Sequence, residues 1–479
     1  MSEPTMPNAY PVDLDAPDPL SSAIIKELSM AGLEVDTSTI ERANHARDWW
    51  PRLIPEVAAG RVENWPAAVV RVTSTASVQA TLRIAAAHRL PVTAQGGRSS
   101  VVGGATPVTG GVALDLTAMN QILELDEVSG TVRVEVGAFG PDLEEFLNAH
   151  GFTVGHFPQS FDLATVGGWI ASRGAGQFSN RYGTIDDLVR ALTVVLARGE
   201  VVHLGGRGPR EAVGPELARL FIGSEGTLGV ITEATLLVRR RAHYDRRRAY
   251  SFSTFADGLE ACRRILQRGA RPAVLRLYDE SESTRHFDLS DCALIALDEG
   301  DPHLVDATMT VVDEECASAE SRESTLVQRW LERRNDVGAL APLWERGVAV
   351  DTIEVAGPWS ILPVLHQSVR DALCALEGMY VVSVHQSHAY DDGACLYFTF
   401  AGHSNDAATL YRRAWDVAMA EVITLGGAIS HHHGVGRNRA RFVRGALGDS
   451  FGLLVDVKNL LDPEGIMNPG VLGLGADPW

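Results

Sequence analysis

The sequence predicts an α+β chain in two unlike parts, and three observations predict it. Strand and helix patterns alternate from residue 68 onward in a β-α-β order. Three clusters of glycine with serine or threonine lie between residues 96 and 229. After Arg239-Arg240-Arg241 the periodicity changes, and a β-α-β-β-α order occurs twice. We therefore expect a glycine-rich first domain and a second domain of doubled ferredoxin-like motif.

The composition limits the class of protein. The 479 residues exceed one ordinary core, so two or three domains are expected. The formal net charge of −19 argues against a nucleic-acid partner. The five cysteines lack CxxC spacing, which indicates reduced thiols, and no apolar run approaches the ~20 residues of a membrane helix. We therefore expect a cytoplasmic location.

The first part begins with an expected flexible leader, residues 1–22, and an N-terminal helical segment, residues 23–62, with a helix over 22–33. The first domain spans residues 63–241. Its strands are expected at 69–72, 91–95, 111–116 and 131–137 and in a hairpin over 191–204, and its helices at 78–89 and 142–150. Ser77 is the expected N-cap of the helix over 78–89.

The second domain spans residues 242–425. Its strands are expected at 250–253, 274–278, 292–297, 351–355, 380–385 and 395–400, and its helices at 258–267, 304–317, 361–376 and 407–425. A C-terminal segment, residues 426–479, is expected to complete an active site.

The glycine clusters suit a ligand with two phosphates. They lie at residues 96–104, 158–176 and 223–229, and each offers backbone N–H groups without obstructing Cβ atoms. Neither GxGxxG in a strand-helix context nor the Walker pattern is present, so Rossmann and P-loop folds are excluded. The alternative is three ordinary turns.

Three consecutive histidines, His431, His432 and His433, precede Gly434-Val435-Gly436. Imidazole can move a proton, bind a metal or donate to an anion. Three adjacent histidines cannot all face one core. The alternatives are a histidine-rich surface loop and a metal-binding tract.

The three glycine clusters resemble the FAD-binding domain of the vanillyl-alcohol-oxidase superfamily, most specifically at residues 223–233. The resemblance implies an FAD-binding domain of that type under an α/β cap. Many covalent members carry a histidine where this chain has Arg98, so noncovalent FAD is expected. The implied flavin contacts are Gly96, Gly97, Arg98, Ser99, Ser100, Gln159, Ser160, Asp162, Ala164, Thr165, Gly168, Ser172, Arg173, Ala175, Glu225, Gly226, Thr227, Gly229, Val230 and Ile231. Arg98 and Arg173 are the candidates for phosphate contact, with surface arginines as the alternative.

Two branches of the superfamily differ at two later motifs. Residues 390–398, YDDGACLYF, and 430–436, SHHHGVG, resemble the alkyldihydroxyacetonephosphate synthase family. The D-2-hydroxyacid dehydrogenase branch carries two metal-binding histidines in its signature. Here His388 is present, but the second histidine is missing, so no metal site is expected.

The resemblance implies a flavoenzyme of ether lipid synthesis. It exchanges the acyl group of acyl-dihydroxyacetone phosphate for a fatty alcohol through an adduct at flavin N5. A phosphorylated lipid-like substrate, a fatty alcohol, a homodimer and peripheral membrane contact are the expected partners. The alternative is an FAD-dependent oxidase or dehydrogenase of a hydroxyacid or other alcohol.

Roles for single residues follow from that reaction. Tyr390 is predicted to transfer a proton if a neighbour lowers its pKa, and the three histidines are predicted to be that neighbour. Arg276 is predicted to bind the phosphate, and Arg334 to be the substrate arginine, with Arg333 and Arg346 as competing candidates. The alternatives are a strand-end tyrosine at 390 and a sheet-face arginine at 276.

Overall fold

The computed structural model describes residues 14–336 and 341–475. Its strands are β1 Glu34–Asp36, β2 Ala68–Arg71, β3 Val92–Gln95, β4 Val112–Asp115, β5 Ile122–Asp126, β6 Thr131–Glu135, β7 Phe152–Thr153, β8 Val189–Val195, β9 Val201–Gly205, β10 Val230–Leu237, β11 Arg239–Arg240, β12 Asp245–Phe252, β13 Val274–Tyr278, β14 Cys292–Glu299, β15 Glu320–Arg322, β16 Val348–Pro358, β17 Met379–Ala389 and β18 Gly393–His403.

The helices complete the described chain. They are α1 Ser22–Met30, α2 Thr39–Asn44, α3 Leu53–Ala58, α4 Thr75–His88, α5 Gly140–Ala149, α6 Val166–Ala171, α7 Ser179–Tyr182, α8 Ile185–Leu188, α9 Phe255–Gln267, α10 Glu280–Phe287, α11 Pro302–Glu315, α12 Thr325–Arg333, α13 Ala341–Trp344, α14 Leu362–Cys374, α15 Ala407–Thr424, α16 Ala440–Leu447 and α17 Ser450–Leu461. Within the described ranges, none of them has both the length and the apolar character needed to cross a bilayer.

The first half contains two main sheets. A four-stranded sheet has the order β1-β2-β4-β3, with β2 and β3 both parallel to β4. A five-stranded antiparallel sheet has the order β5-β6-β10-β8-β9. The C-terminal segment returns to the first sheet, where Met467 bridges to Val92 and is fully buried. This mixed architecture confirms the predicted α+β class.

The second half is one seven-stranded antiparallel sheet, β15-β12-β14-β13-β17-β18-β16, covered by helices. The unit β16-α14-β17-β18-α15 has the predicted β-α-β-β-α order. The unit β12-α9-β13-α10-β14-α11 departs from it by one added helix, α10, between its second and third strands. Amphipathic helices such as α9 turn buried leucine and isoleucine toward the sheet, which explains why the spacing of apolar residues predicted these helices.

Several local predictions were wrong. The cap of α4 is Ser74, whose Oγ accepts from Ser77 N at 3.2 Å, so Ser77 is the third helical residue of a capping box. The segment 23–62 is not only helical, because β1 joins the first sheet. The described part of the leader is packed, since Leu14 contacts the core and Leu20 is buried. The remaining leader, residues 1–13, and the last four residues of the C-terminal segment lie outside the described residues.

Candidate active site

A cavity of about 660 Å³ lies between the glycine clusters of the first half and the seven-stranded sheet of the second. We call it the reaction cavity. Residues from all three clusters form one wall, and residues of β13, β17, β18 and α12 form the other. Its volume is within the range of small-molecule sites.

The first glycine loop (residues 96–104) and the second (residues 158–176) meet at backbone distance. A Cβ at Gly97 would lie 1.8 Å from the carbonyl oxygen of Leu163, and one at Gly96 would lie 2.2 Å from Thr165 Oγ1. Only glycine permits this approach, because a backbone carbonyl cannot move aside cheaply. The two loops therefore offer backbone and small side chains to the reaction cavity.

The third glycine loop (residues 223–229) reaches the histidines. Glu225 has a left-handed φ of +49° and is buried. Its Oε1 accepts from Val435 N at 2.7 Å, and its Oε2 accepts from Gly436 N at 2.8 Å. Burial raises the pKa of this carboxyl to about 7, although the two N–H groups oppose the shift. Glu225 therefore joins the first half to the segment of residues 430–436, which we call the histidine segment.

The first-half wall fits FAD. It is a cradle of backbone and small side chains, which accepts a flat ring and two phosphates without obstruction. Arg98 lies in this wall, and its Nε is buried without a hydrogen-bond partner. Among the described residues no carboxylate lies within ion-pair distance of its guanidinium, while Nη1 lies 2.9 Å from His45 Nδ1. A bound anion would satisfy the buried Nε donor of Arg98.

The predicted flavin contacts line the reaction cavity with three exceptions: Asp162, Arg173 and Thr227. Arg173 Nη2 donates instead to Asp186 Oδ2 at 3.1 Å, and 61% of its side chain is exposed. Thr227 is fully buried and donates to Ser224 O at 2.7 Å, which shapes the loop. Asp162 is exposed. The side chains of these three residues are turned into the loop or to solvent, so they do not line the reaction cavity.

Glu354 of β16 holds the histidine segment from the cap side. Its carboxylate accepts from the backbone N–H groups of His431 and His433, from Ser430 Oγ at 2.9 Å and from Arg439 Nη1 at 2.8 Å. Glu354 and Arg439 are both fully buried. Burial alone would raise the pKa of Glu354, but the charge of Arg439 and the nearby histidines lower it. The histidine segment is therefore fixed by a charged pair.

The pKa of each of the three histidines is lowered, which favours the neutral ring. Burial lowers the pKa of His433 to about 4, although the Glu354 carboxylate opposes that shift. Burial also lowers the pKa of His431 and, together with the charge of His433, lowers that of His432 well below its ordinary value. Of the three, His432 and His433 line the reaction cavity and His431 lies behind them. A neutral imidazole can accept a proton from a bound ligand.

Tyr390 does not line the reaction cavity. Its hydroxyl lies 2.7 Å from His431 Nε2, so the predicted contact with the histidines is present. Burial raises the pKa of Tyr390, and the charges of nearby acidic groups add to the shift. Tyr390 was predicted to transfer a proton only if a neighbour lowered its pKa. That condition is therefore not met.

Tyr397 is the tyrosine that the sequence analysis missed. It lines the reaction cavity, and its hydroxyl lies 3.3 Å from His433 Nε2 and 3.1 Å from Thr352 Oγ1. It belongs to the same motif as Tyr390 but lies within β18. Thr399, two residues later, also lines the cavity, so the strand period of two was the signal that could have found it.

Arg276 and Arg334 carry positive charge into the reaction cavity. Arg276 of β13 is 8% exposed; its Nη2 lies 2.8 Å from His385 Nε2 and its Nε donates to Tyr278 OH at 3.0 Å. Arg334 Nη1 donates to Gln177 Oε1 at 3.0 Å. Neither has a carboxylate within 4.0 Å among the described residues. Burial lowers the pKa of Arg334, and the charge of Arg276 adds to that shift.

The two competing arginines are both exposed to solvent. Arg333 lines the reaction cavity but is exposed, and Arg346 is exposed away from the wall. Part of the segment in which the sequence analysis sought the substrate arginine, residues 337–340, lies outside the described residues. Arg334 is the candidate from that segment whose charge is held inside the cavity.

Four groups that could ligate a metal come within 4.8 Å of one another: Glu354, Cys395, His431 and His432. The Glu354 carboxylate is already bound by Arg439 and by two backbone N–H groups. Burial raises the pKa of the Cys395 thiol, and the charge of Glu354 adds to that shift. A carboxylate already paired with Arg439 and a protonated thiol are poor metal ligands.

Comparison with known proteins supports an FAD-binding first half and an FAD-linked second half. Residues 66–205 match the family described as FAD binding domain, and residues 244–472 match FAD linked oxidases, C-terminal domain. The chain is 32% identical to the uncharacterized FAD-linked oxidoreductase YgcU of Escherichia coli strain K12 over 94% of this chain and 97% of that protein. It is 29% identical to alkyldihydroxyacetonephosphate synthase of Dictyostelium discoideum over 86% of this chain and 74% of that protein. A solved structure of an alkyldihydroxyacetonephosphate synthase superposes with a TM-score of 0.80 at 25% identity, covering 95% of this chain and 87% of the other.

Proposed function

The chain belongs to the FAD-linked oxidoreductase family of the vanillyl-alcohol-oxidase superfamily, and from that premise we propose that it exchanges the acyl group of acyl-dihydroxyacetone phosphate for a fatty alcohol. The observation that carries the proposal is the pair Arg276 and Arg334, two cations in the reaction cavity with no carboxylate within 4.0 Å among the described residues. Two guanidinium groups without a direct ion pair favour a phosphate, which carries two charges near pH 7.

The three glycine loops and Arg98 would hold FAD, which supplies an electron-accepting ring beside the substrate carbon when it is bound. Arg276 is positioned by His385 and Tyr278 before any ligand arrives. A preset guanidinium loses little freedom when it binds a phosphate, so it orients the substrate at low entropic cost.

The histidine segment supplies the proton acceptor. His432 and His433 are neutral on the cavity wall, and Tyr397 contacts His433. A neutral imidazole takes a proton from the substrate carbon and returns it later in the cycle. Apolar side chains in the same wall, Phe287, Trp330 and Leu343 among them, exclude water and suit an alkyl chain.

The second candidate is oxidation of a phosphorylated or carboxylated alcohol, in which the same two arginines would bind the anion. The similarity to YgcU, named an FAD-linked oxidoreductase, favours it. Both reactions use FAD and a proton acceptor, so the fate of the electrons separates them. Homodimerisation, peripheral membrane contact and a cytoplasmic location stay predictions.

The test is a single anaerobic reaction. Purified holoprotein is mixed with acyl-dihydroxyacetone phosphate and hexadecanol, and products and flavin absorbance are followed together. We expect fatty acid and alkyl ether in equal amounts, with the oxidised absorbance recovering without oxygen. If recovery requires oxygen or an artificial acceptor, the protein is an oxidoreductase and the transfer reaction is wrong.

A further inference from the structure

We propose that His432, His431 and Tyr390 form a proton relay that leads from the reaction cavity to the outer side of the histidine segment. The relay rests on the proposed function only in requiring that the reaction release or take up a proton in the cavity. It gives a role to Tyr390 and His431, which do not line the cavity.

The three groups are joined in series by two hydrogen bonds. His432 lines the reaction cavity, and its Nδ1 lies 2.9 Å from His431 Nδ1. His431 Nε2 lies 2.7 Å from the Tyr390 hydroxyl. Each inner nitrogen is therefore engaged, and Nε2 of His432 is the ring nitrogen that remains for a ligand. A series in which every member both gives and accepts is the arrangement that proton transfer requires.

The ring positions are fixed by their surroundings. Glu354 accepts from the backbone N–H of His431, and His388 stacks on the His431 ring at 5.0 Å with 20° between the planes. A ring held on its backbone and on its face keeps its nitrogens aligned with both partners. Burial lowers the pKa of His431 and His432, so both rings pass a proton on and do not retain the charge.

The outer end of the relay lies near charged surface groups. Tyr390 is half-buried, and its phenol senses the charges of Asp186 and Asp187 on α8. Asp186 pairs with Arg173, whose side chain is 61% exposed. Tyr390 is therefore partly exposed to solvent without lining the reaction cavity, so water can reach the outer end of the relay.

The transfer conserves protons and electrons. A proton from the ligand forms an N–H bond at His432 Nε2, and the His432 Nδ1 proton moves to His431 Nδ1. The His431 Nε2 proton then moves to the Tyr390 oxygen, and the original Tyr390 hydroxyl proton leaves to water. No group is oxidised or reduced, and each ring ends as the opposite neutral tautomer. The same path in reverse returns a proton to the cavity.

The kinetic test compares Tyr390→Phe with Tyr380→Phe. Tyr380 lies on β17, the strand that ends one residue before Tyr390, and is 58% exposed, so its variant controls for loss of a phenol. We expect Tyr390→Phe to lower the single-turnover rate about 10²-fold, and added imidazole to restore part of it with a saturating dependence on concentration. Tyr380→Phe should match the wild type. A Tyr390→Phe rate that is unchanged, or lowered but indifferent to imidazole, overturns the relay.

A second measurement needs no substrate. Nitrogen-15 NMR of histidine-labelled holoprotein reports which ring nitrogen carries the proton, and His431→Gln and His432→Gln assign the two rings. We expect one shared proton between the two Nδ1 atoms, and a Tyr390→Phe spectrum changed at His431 and His432 alone. Rings that do not respond to Tyr390→Phe contradict the relay even if ether product forms. A responsive pair without ether product leaves the relay standing and removes the proposed reaction.

Discussion

Two buried carboxylates hold the histidine segment from opposite sides, and they differ in protonation. The pKa of Glu354 is lowered, because the guanidinium of Arg439 lies against its carboxylate in a fully buried pair. Glu225 receives only neutral backbone N–H groups, so burial dominates and raises its pKa to about 7. The link from the first half to the histidine segment is therefore the one that titrates near neutral pH.

Glu225→Gln tests this difference through stability. The folded protein binds the Glu225 proton more tightly than the unfolded chain, whose ordinary value is 4.5. The stability from this group is fully present below pH 4.5 and is lost as pH rises toward 7, about 3 kcal/mol in all. We expect thermal midpoints measured between pH 5 and 8 to fall less steeply in Glu225→Gln than in the wild type.

The control is Glu127→Gln, which changes an exposed glutamate. Its midpoints should follow the wild-type slope at every pH. A Glu225→Gln slope identical to that of the wild type would show that the carboxyl stays ionised across this range, and the buried link would then have to be stabilised by charge.

For single residues, the sequence predicted the type of side chain near the histidines better than it predicted which side chain lines the reaction cavity. The motif over residues 390–398 directed attention to a tyrosine beside the histidines, and Tyr390 does contact His431. The motif also contained Tyr397, which lines the reaction cavity. Which tyrosine faces a ligand depends on where β17 ends and β18 begins, and that is set by sheet pairing that no local pattern specifies.

Among the elements, several long ones were predicted closely and several short ones were missed. The strand over Val274–Tyr278 was predicted with the bounds that the structure shows, and the helix α15 within one residue. The helix α16 was missed, because it is eight residues long and contains Gly445, which lowers helix propensity. The helix α3 lies in a stretch that the sequence left unassigned, since its six residues complete less than two turns.

The contact between the first and second glycine loops gives a prediction at the element scale. In Gly97→Ala the new Cβ would lie 1.8 Å from the Leu163 carbonyl oxygen, so the two loops must separate. Separation widens the cradle that fits FAD. We expect the FAD content of the purified variant to fall about tenfold or more, which corresponds to ~1.4 kcal/mol of lost binding. Absorbance of the flavin against protein concentration measures it.

Gly208→Ala is the matched control, since a Cβ there meets nothing within 4 Å and the residue is exposed. It should retain wild-type FAD content. If Gly97→Ala also retained full FAD content with an unchanged thermal midpoint, the loop contact would be adjustable, and the glycine would not be needed for the cofactor site.

At the scale of the whole molecule, the reaction cavity is assembled from three distant parts of the chain. Its walls come from the glycine loops, from β13, β17 and β18, and from the histidine segment, while Met467 carries the C-terminal segment back to Val92 in the first sheet. The sequence and the family resemblance predicted that these parts meet, but they did not predict the residue pairings that join them. Long-range pairings such as this bridge leave no periodic trace in the residues on either side of it.

Because both halves line the cavity, bound FAD should stabilise the whole chain. The FAD should also be released chemically intact, because it is not bound covalently. Arg98 stands where covalent members carry a linking histidine, and it lies against His45. We expect acid precipitation to release all flavin into the supernatant as FAD.

Adding FAD back to apoprotein should raise the thermal midpoint, since ligand at 100 times its Kd stabilises the folded state by about 2.7 kcal/mol. Riboflavin, which lacks the phosphates, should raise it less if Arg98 and the glycine loops bind the diphosphate. Flavin retained in the precipitate would mean a covalent bond from another residue, and equal shifts with riboflavin and FAD would mean that the ring alone is bound.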